Sequence, residues 1–442
     1  MKRLLGEAGF FAYLDALNQP YTRALRVNLL LRPDGTPPCP IEGLGAPVPW
    51  ARGAYFVEGD ARPGLSPLHE GGLFYMQEPS ALTAVTALDP QPGERVLDLC
   101  AAPGGKSTQI AALMAGRGLL CCNEPIPSRA QILSRNIERM GVRNAVVLSA
   151  MPDALAPRFP AFFDRILVDA PCSGEGMFRR QPEARDEWDA DAPRRCADRQ
   201  MEILAQAAKM LRPGGTMVYS TCTFNDTENE GVLRRFLALH PEFSLVPFAL
   251  PGLPEAKDGY LHLYPHEMRG EGHFVSRLKK ADGADEADAP VQAAPQRKAP
   301  ARAAAKGKAP APIALPDVFS DAFAPERLYT AGDALWMLPE GISIERLSGL
   351  RVLRTGLLLA HAEGKRSEPD HALAMALRPE EAARTASLTQ TQALAYQAGE
   401  TLSLGDLPGG YTLLCCEGVS LGWGKQASGL MKNHYPKGLR RR

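Results

Sequence analysis

Between Arg95 and Leu278 the chain alternates between strand and helix signals, and this alternation limits the fold more than any other feature. Arg95–Leu99 (RVLDL) reads as a buried strand and Ser107–Met114 as a helix. Gly118–Asn123 (GLLCCN) reads as a second strand, and Ser128–Met140 as a helix stopped by Gly141. Ala145–Leu148 and Arg165–Asp169 (RILVD) read as the third and fourth strands. A helix over Arg199–Leu211, closed by Pro213-Gly214-Gly215, leads to a fifth strand at Thr216–Ser220. Alternation of this kind predicts an α/β fold, a parallel sheet with helices on both faces.

In such a sheet ligands bind beyond the carboxyl ends of the strands. The first strand runs into VLDLCAAPGGKST, Val96–Thr108. Gly104 and Gly105 let the backbone come close to a ligand, and Pro103 stiffens the turn. The loop is neither GxGxxG nor a Walker A sequence, which weakens dinucleotide and ATP readings. Glu124 follows the second strand, twenty residues after Gly104. A carboxylate there can accept both hydroxyls of a ribose. Methyl-donor and nicotinamide cofactors share that ribose, so the loop leaves both open.

Two cysteines stand just past strand ends, in Asp169-Ala170-Pro171-Cys172 and in Ser220-Thr221-Cys222. Both should share the sheet edge with the cofactor loop. Two thiols and a carboxylate beside a methyl donor match the needs of cytosine 5-methylation. Carbon 5 is a poor nucleophile until a thiolate adds to carbon 6. A carboxyl group near ring nitrogen 3 favours that addition by stabilising the protonated ring.

The segments MQEPSA (Met76–Ala81), VLDLCAAPGGKST, ILVDAPCSGEGMFRR (Ile166–Arg180), LRPGGTMVYSTCTF (Leu211–Phe224) and the following TENE resemble the NOL1/NOP2/Sun family of RNA cytosine-5 methyltransferases. The resemblance covers about 20–280. It implies a Rossmann-like S-adenosylmethionine-dependent methyltransferase sheet, with Cys222 as nucleophile and Cys172 assisting product release. It implies that the donor, S-adenosyl-L-methionine, meets Cys100, Ala101, Ala102, Pro103, Gly104, Gly105 and Lys106, with Glu124 on the ribose and Asp169 as the motif acid. A further donor-binding Asp is implied just after the third strand. Met151 stands at that place and Asp153 two residues on, so Asp153 is the candidate. ALRVNLL (Ala24–Leu30) resembles the family's N-terminal RNA-side segment. Gly418–Arg441 resembles the RsmF-type branch, which acts on small-subunit ribosomal RNA and carries a PUA-like C-terminal domain.

Four segments follow: a small α+β N-terminal RNA-side segment at 1–75, a catalytic domain at 76–280, a linker at 281–315 and a PUA-like RNA-binding domain at 316–442. The linker is Ala/Pro-rich, acidic at first and then basic, too poor in large apolar residues to offset its ordering entropy. Beyond it, strand-like runs at Leu350–Leu353, Leu357–Ala360 and Tyr411–Cys416 suit a small α+β or barrel-like module.

The formal net charge is zero, so an RNA partner needs a local basic patch. Val419–Arg442 supplies one in Lys425, Lys432, Lys437, Arg440, Arg441 and Arg442, without an acid. Trp423, His434 and Tyr435 are interleaved; aromatics of this kind can stack on bases, although Trp423 alone suits a small core better. Nine cysteines without regular spacing, and no secretory leader, read as reduced cytoplasmic thiols. Cys121-Cys122 and Cys415-Cys416 suit buried strands. His262, His266 and His273 lie in what looks like a last hairpin and lack metal-ligand spacing. No metal, no membrane span and no obligate protein partner are expected.

Rival readings are a cytosine methyltransferase using Cys172 as nucleophile, a tRNA cytosine-5 methyltransferase, a catalytically silent RNA-binding or ribosome-assembly factor, and a nicotinamide oxidoreductase. Intact Cys222, Cys172 and Asp169 speak against silence, and the absent GxGxxG against the oxidoreductase.

Overall fold

A computed structural model describes residues 1–181, 183–186, 188–283, 313, 317–318, 325–363 and 366–441. Most of the Ala/Pro-rich stretch expected as a linker, and Arg442, lie outside the described residues.

A helix over Lys2–Leu17 opens the chain. Strands β1 (Arg23–Val27), β2 (Leu44–Pro47), β3 (Ala54–Val57) and β4 (Phe74–Gln77) then form an antiparallel sheet in the order β2-β3-β1-β4.

The large sheet follows. Its strands are β5 (Arg95–Asp98), β6 (Leu119–Asn123), β7 (Ala145–Leu148), β8 (Phe163–Asp169), β9 (Leu211–Thr221), β10 (Phe243–Leu245), β11 (Tyr260–Leu263) and β12 (His273–Lys280). The order is β10-β12-β9-β8-β5-β6-β7, with β11 also pairing with β12. Strands β5 to β9 are mutually parallel; β12 runs antiparallel to β9, and β10 and β11 each pair antiparallel with β12. Side chains alternate across the sheet with period two. Val96, Leu120, Cys122, Val147, Leu167 and Val218 join the apolar cluster on one face. Leu97, Leu119, Cys121, Val146, Ile166 and Met217 join the other. The adjacent thiols Cys121 and Cys122 are therefore both buried, on opposite faces.

From β5 the chain winds one way to β6 and β7, then returns to place β8 on the other side of β5. The crevice beyond the carboxyl ends of β5 and β8 is thus the topological switch point, where open α/β sheets bind ligands.

Two elements differ from the sequence reading. The helix before β9 spans Ala192–Met210, beginning seven residues earlier, and the Pro-Gly-Gly lies inside β9 rather than before it. Phe163 pairs with Leu211 but Arg165 with Thr216, so Arg212–Gly215 bulge from the ladder. The expected strand at Leu350–Leu353 forms over Val352–Arg354, yet it does not join the C-terminal module. It adds antiparallel to β7 and covers the edge of the large sheet. An uncovered edge would present unpaired backbone groups, and local sequence does not reveal which edge a strand will cover.

Two four-stranded sheets complete the chain: Leu328–Ala331, Ala334–Met337, Leu357–Glu363 and Arg366–Pro369, then Thr385–Ser387, Gly410–Cys416, Val419–Ala427 and Leu430–Asn433. They are docked on the rest of the molecule. Leu25, Val27 and Phe74 share one apolar cluster with Tyr396, Leu414, Leu421 and Tyr435. Arg143 grips the Glu381 carboxylate through both terminal nitrogens, and Arg354 pairs with Glu138. At Gly71 a Cβ would sit 2.9 Å from the Leu421 and Val419 methyl groups, so the two units approach closely there.

Candidate active site

The loop Cys100–Lys106 leaves β5 at the switch point and enters the helix Gly105–Leu113. Gly104 adopts φ +113°, a conformation L side chains rarely adopt. The loop is held from below. Ser107 Oγ donates to Asp98 Oδ2 at 2.6 Å, and burial pushes that carboxyl up to about 7. Asn123 Nδ2 donates to the Leu99 and Ala150 carbonyls at 3.2 and 3.0 Å, tying the turn after β7 to the loop after β5.

Arg26 supports the loop from behind. It is 1% exposed, and its Nη2 donates to Thr108 Oγ1 at 2.8 Å and Gly105 O at 3.2 Å. Asn28 Nδ2 reaches the carbonyls of Gly72 and Met140 at 2.9 and 3.0 Å. Within the segment expected to face RNA, these two side chains therefore bind the N-terminal sheet to the catalytic unit instead. A basic residue in a short motif carries no sign of which face it occupies.

Glu124 follows β6 with its side chain 3% exposed. Its Oε1 accepts from Ile126 N at 2.9 Å, and Oε2 lies 3.4 Å from Arg129. Two carboxylate oxygens offer about four acceptor sites, so capacity for two hydroxyls remains. Asp153 stands elsewhere in character. It is exposed on the short helix Pro152–Leu155, with no hydrogen bond to the loop or Glu124 among the described residues, and Met151 before it is 61% exposed.

On the other side of the switch point, Lys106 Nζ donates to Asp169 Oδ2 at 2.8 Å, and Ser220 Oγ to Asp169 Oδ1 at 2.8 Å. His273, from β12, has Nε2 3.5 Å from Asp169 Oδ1. Burial opposes ionisation of Asp169, yet the Lys106 charge with His273 beside it holds the carboxyl well below the usual range.

The two cysteines meet. Cys172 Sγ and Cys222 Sγ lie 3.1 Å apart, and Cys222 N donates to Cys172 Sγ at 3.3 Å. The Cys172 thiol is pushed well up, first by its hydrogen bond with Cys222, then by burial and the nearby charges of Cys222 and Glu228.

Several supporting residues were not singled out from sequence. His273 entered only as a structural histidine. Glu228 lies in the TENE segment and Glu175 in ILVDAPCSGEGMFRR, each without an evident task, and Gln200 and Asn225 carried no signal. Only their contacts give them a part. Arg179 forms a buried pair with Glu271 at 2.7 Å and donates to Ala16 O at 2.8 Å, fastening the N-terminal helix to the thiol loop.

The C-terminal cluster divides. Trp423 and Tyr435 are 2% and 4% exposed core residues, so neither is available to stack on a base. His434 is half-buried beside Tyr411 and 3.0 Å from Glu368. Lys425 Nζ sits over the Tyr411 ring, 4.6 Å from its centre, while Lys432 and Lys437 are exposed. Arg441 is engaged with the Leu65 and Ser66 carbonyls at 2.6 and 3.0 Å.

Family models match nearly the whole chain: the N-terminal domain of 16S rRNA methyltransferase RsmF at residues 1–79, 16S rRNA methyltransferase RsmB/F at 85–279, the RsmF first C-terminal domain at 316–377 and the RsmF PUA domain at 383–441. Ribosomal RNA small subunit methyltransferase F of Erwinia tasmaniensis is 33% identical, over 99% of this chain and 95% of the relative. That of Klebsiella pneumoniae is 34% identical, over 97% and 92%. The chain belongs to the RsmF methyltransferase family.

Among solved structures, a methyltransferase homolog protein from Pyrococcus horikoshii is 29% identical, with TM-score 0.51 over 63% of this chain and 97% of that one. NSun6 from Pyrococcus horikoshii, solved with SFG, shares the fold at 22% identity and TM-score 0.54, over 64% and 97%. The RsmF-family chain is thus a methyltransferase, and the expected methyl donor is S-adenosyl-L-methionine. Its residues fit that donor. The switch-point crevice offers a glycine-bearing loop, the unsaturated carboxylate of Glu124, and Asp98 Oδ1, which is buried without a hydrogen-bond partner. No described helix is long and apolar enough to cross a membrane.

Proposed function

We propose that this chain methylates carbon 5 of a cytosine in 16S ribosomal RNA of the small subunit, with Cys222 as covalent nucleophile. The observation that carries the reading is the 3.1 Å contact of Cys172 and Cys222 beside Asp169, at the edge of the sheet that holds the donor loop. The rRNA substrate rests on the relatives named above and on the PUA match.

Cys100–Lys106 would hold the donor, with Glu124 on its ribose, and the donor would supply an electrophilic methyl. Asp153, the candidate second donor-binding acid, would be the acid nearest in sequence to the place that the family resemblance implies. Cys222 Sγ bonds to carbon 6, which raises electron density at carbon 5. As the thiolate adds, ring nitrogen 3 takes a proton from solvent, and the Asp169 carboxylate, kept ionised by Lys106, accepts hydrogen bonds from that N–H and from the amino group. After methyl transfer, the carbon 5 proton passes to a base, either the Cys172 sulfur or a water beside it, which restores the double bond and expels Cys222 as thiolate. The cytosine must leave its stack to reach the thiols. Lys432 and Lys437, with Lys425, meet RNA phosphates. The protein works in the cytoplasm, where its nine free cysteines stay reduced. The C-terminal unit is held against the catalytic one, through Arg143 on Glu381 and Arg354 on Glu138.

A denaturing gel of each cysteine variant with donor and substrate RNA tests the mechanism. Cys222→Ala forms no covalent adduct and no product, and Cys172→Ala accumulates adduct. The reverse pattern would make Cys172 the nucleophile. Methylation intact in both variants, without adduct, would end the covalent reading. Bisulfite sequencing of total RNA from a deletion strain locates the site; loss confined to tRNA would move the substrate there.

A further inference from the structure

Two carboxylates cross between the loops that carry the thiols. Glu228 comes from the loop after Cys222 and is 0% exposed. Its carboxylate accepts from Ser173 N at 2.9 Å, from Gln200 Nε2 at 2.9 Å, from Asn225 Nδ2 at 2.8 Å and from Ser173 Oγ. Gln200 Nε2 also donates to Pro171 O at 3.0 Å. The residues on both sides of Cys172 are thereby tied to Glu228, one directly and one through Gln200. Tyr219 Oη closes the other end, donating to Glu228 O at 2.6 Å.

Glu175 makes the reciprocal connection. It comes from the loop after Cys172, and its Oε2 accepts from Thr223 Oγ1 and Phe224 N at 2.8 Å and from Asn225 N at 3.0 Å. Gly176 N donates to Cys222 O at 2.8 Å. A Cβ at Gly176 would lie 2.9 Å from that oxygen, so the approach depends on glycine. Each cysteine's loop is thus fixed by an acid from the other's loop. Apart from Gln200 on the helix Ala192–Met210, the partners of both acids lie in the loops around the thiols, and every hydrogen-bond donor named for Glu228 is neutral. A buried carboxylate needs such donors to avoid a large desolvation cost. Here the donors lie where they determine the position of Cys172.

We propose that Glu228 is the positioning residue for Cys172, and that the crossed Glu228 and Glu175 hydrogen bonds hold the thiol separation required for release of the methylated base. The proposal rests on the two-cysteine reading above. Substituting Glu228→Gln turns one oxygen into an amide, which sets donor against donor at Ser173, Gln200 or Asn225. The loop then shifts while Cys222, at the exit of β9, keeps its place. Displacements of about 1 Å near reacting groups cost on the order of 10²-fold in rate.

The test is single turnover with donor and substrate RNA, following adduct on a denaturing gel and product by methyl incorporation into free RNA. Glu228→Gln should form adduct at close to the normal rate and resolve it about 10- to 100-fold more slowly, with KM for RNA unchanged. Ser173→Ala, which removes the hydroxyl donor to Glu228 with little disturbance, should slow the same step less, and it decides the matter if Glu228→Gln does not fold. Normal release in a folded Glu228→Gln, with Cys172→Ala accumulating adduct, would overturn the proposal and leave the mechanism standing. Adduct formation and release reduced together would also overturn it, since that is the mark of general damage. No adduct from Cys172→Ala would overturn the two-cysteine reading itself.

Discussion

Lys106 Nζ lies 2.8 Å from Asp169 Oδ2, joining the donor loop after β5 to the acid at the end of β8 across the switch point of the sheet. On the proposed mechanism, one ion pair therefore couples the cofactor side of the crevice to the cytosine side. Its partners are largely withdrawn from water, with side chains 13% and 28% exposed.

The pair sets a pH dependence. Asp169 has a carboxyl held below its ordinary value near 3.9. A depressed carboxylate contributes above its ordinary value, and the contribution is lost as pH falls through the folded one. Lys106→Met removes the principal lowering charge, so the acid limb of kcat/KM should move to higher pH. At neutral pH kcat should fall by about 10²-fold. A pH–rate profile with an unmoved acid limb would detach Lys106 from the ionisation of Asp169.

Glu124→Ala should weaken donor binding by about 1–3 kcal/mol, the scale of a missing set of charged hydrogen bonds. Isothermal calorimetry with S-adenosylmethionine measures it. Unchanged affinity would remove Glu124 from the ribose site.

Removing residues 419–442 is no clean test of RNA binding, because Val419–Ala427 is an inner strand of its sheet and Leu421 and Tyr435 pack against the N-terminal unit. Point changes are better. Lys432→Ala with Lys437→Ala should weaken RNA binding and reduce the salt slope by about 0.7–0.9 for each phosphate no longer neutralised, at constant melting temperature. Binding titrations over a range of salt decide it; an unchanged slope makes these lysines solvated surface.

Arg26→Met should destabilise the fold by about 2–3 kcal/mol, since buried acceptors at Gly105 and Thr108 lose a charged donor. Denaturant unfolding reads this directly. The salt slope of RNA binding should not move, because Arg26 is buried. A changed slope with normal stability would return Arg26 to the RNA surface.

The sequence by itself determined the succession of parallel strands along the chain, because fully buried strands and intervening helices have distinct periods. It also determined the loop at Cys100–Lys106, and that Cys172 and Cys222 follow strand ends, since strand direction alone brings those ends to one edge. Tertiary structure decided what touches what. Arg26 turned inward to the donor helix, Trp423 and Tyr435 joined the core, and Val352–Arg354 left its neighbours in sequence to cover β7. Glu228 and Glu175 acquired their places only when two loops some fifty residues apart closed on each other. Periodicity and motif spacing report which face of its own element a residue occupies. They do not report which other element will pack there, because that choice is made by burial and hydrogen-bond satisfaction over the whole molecule.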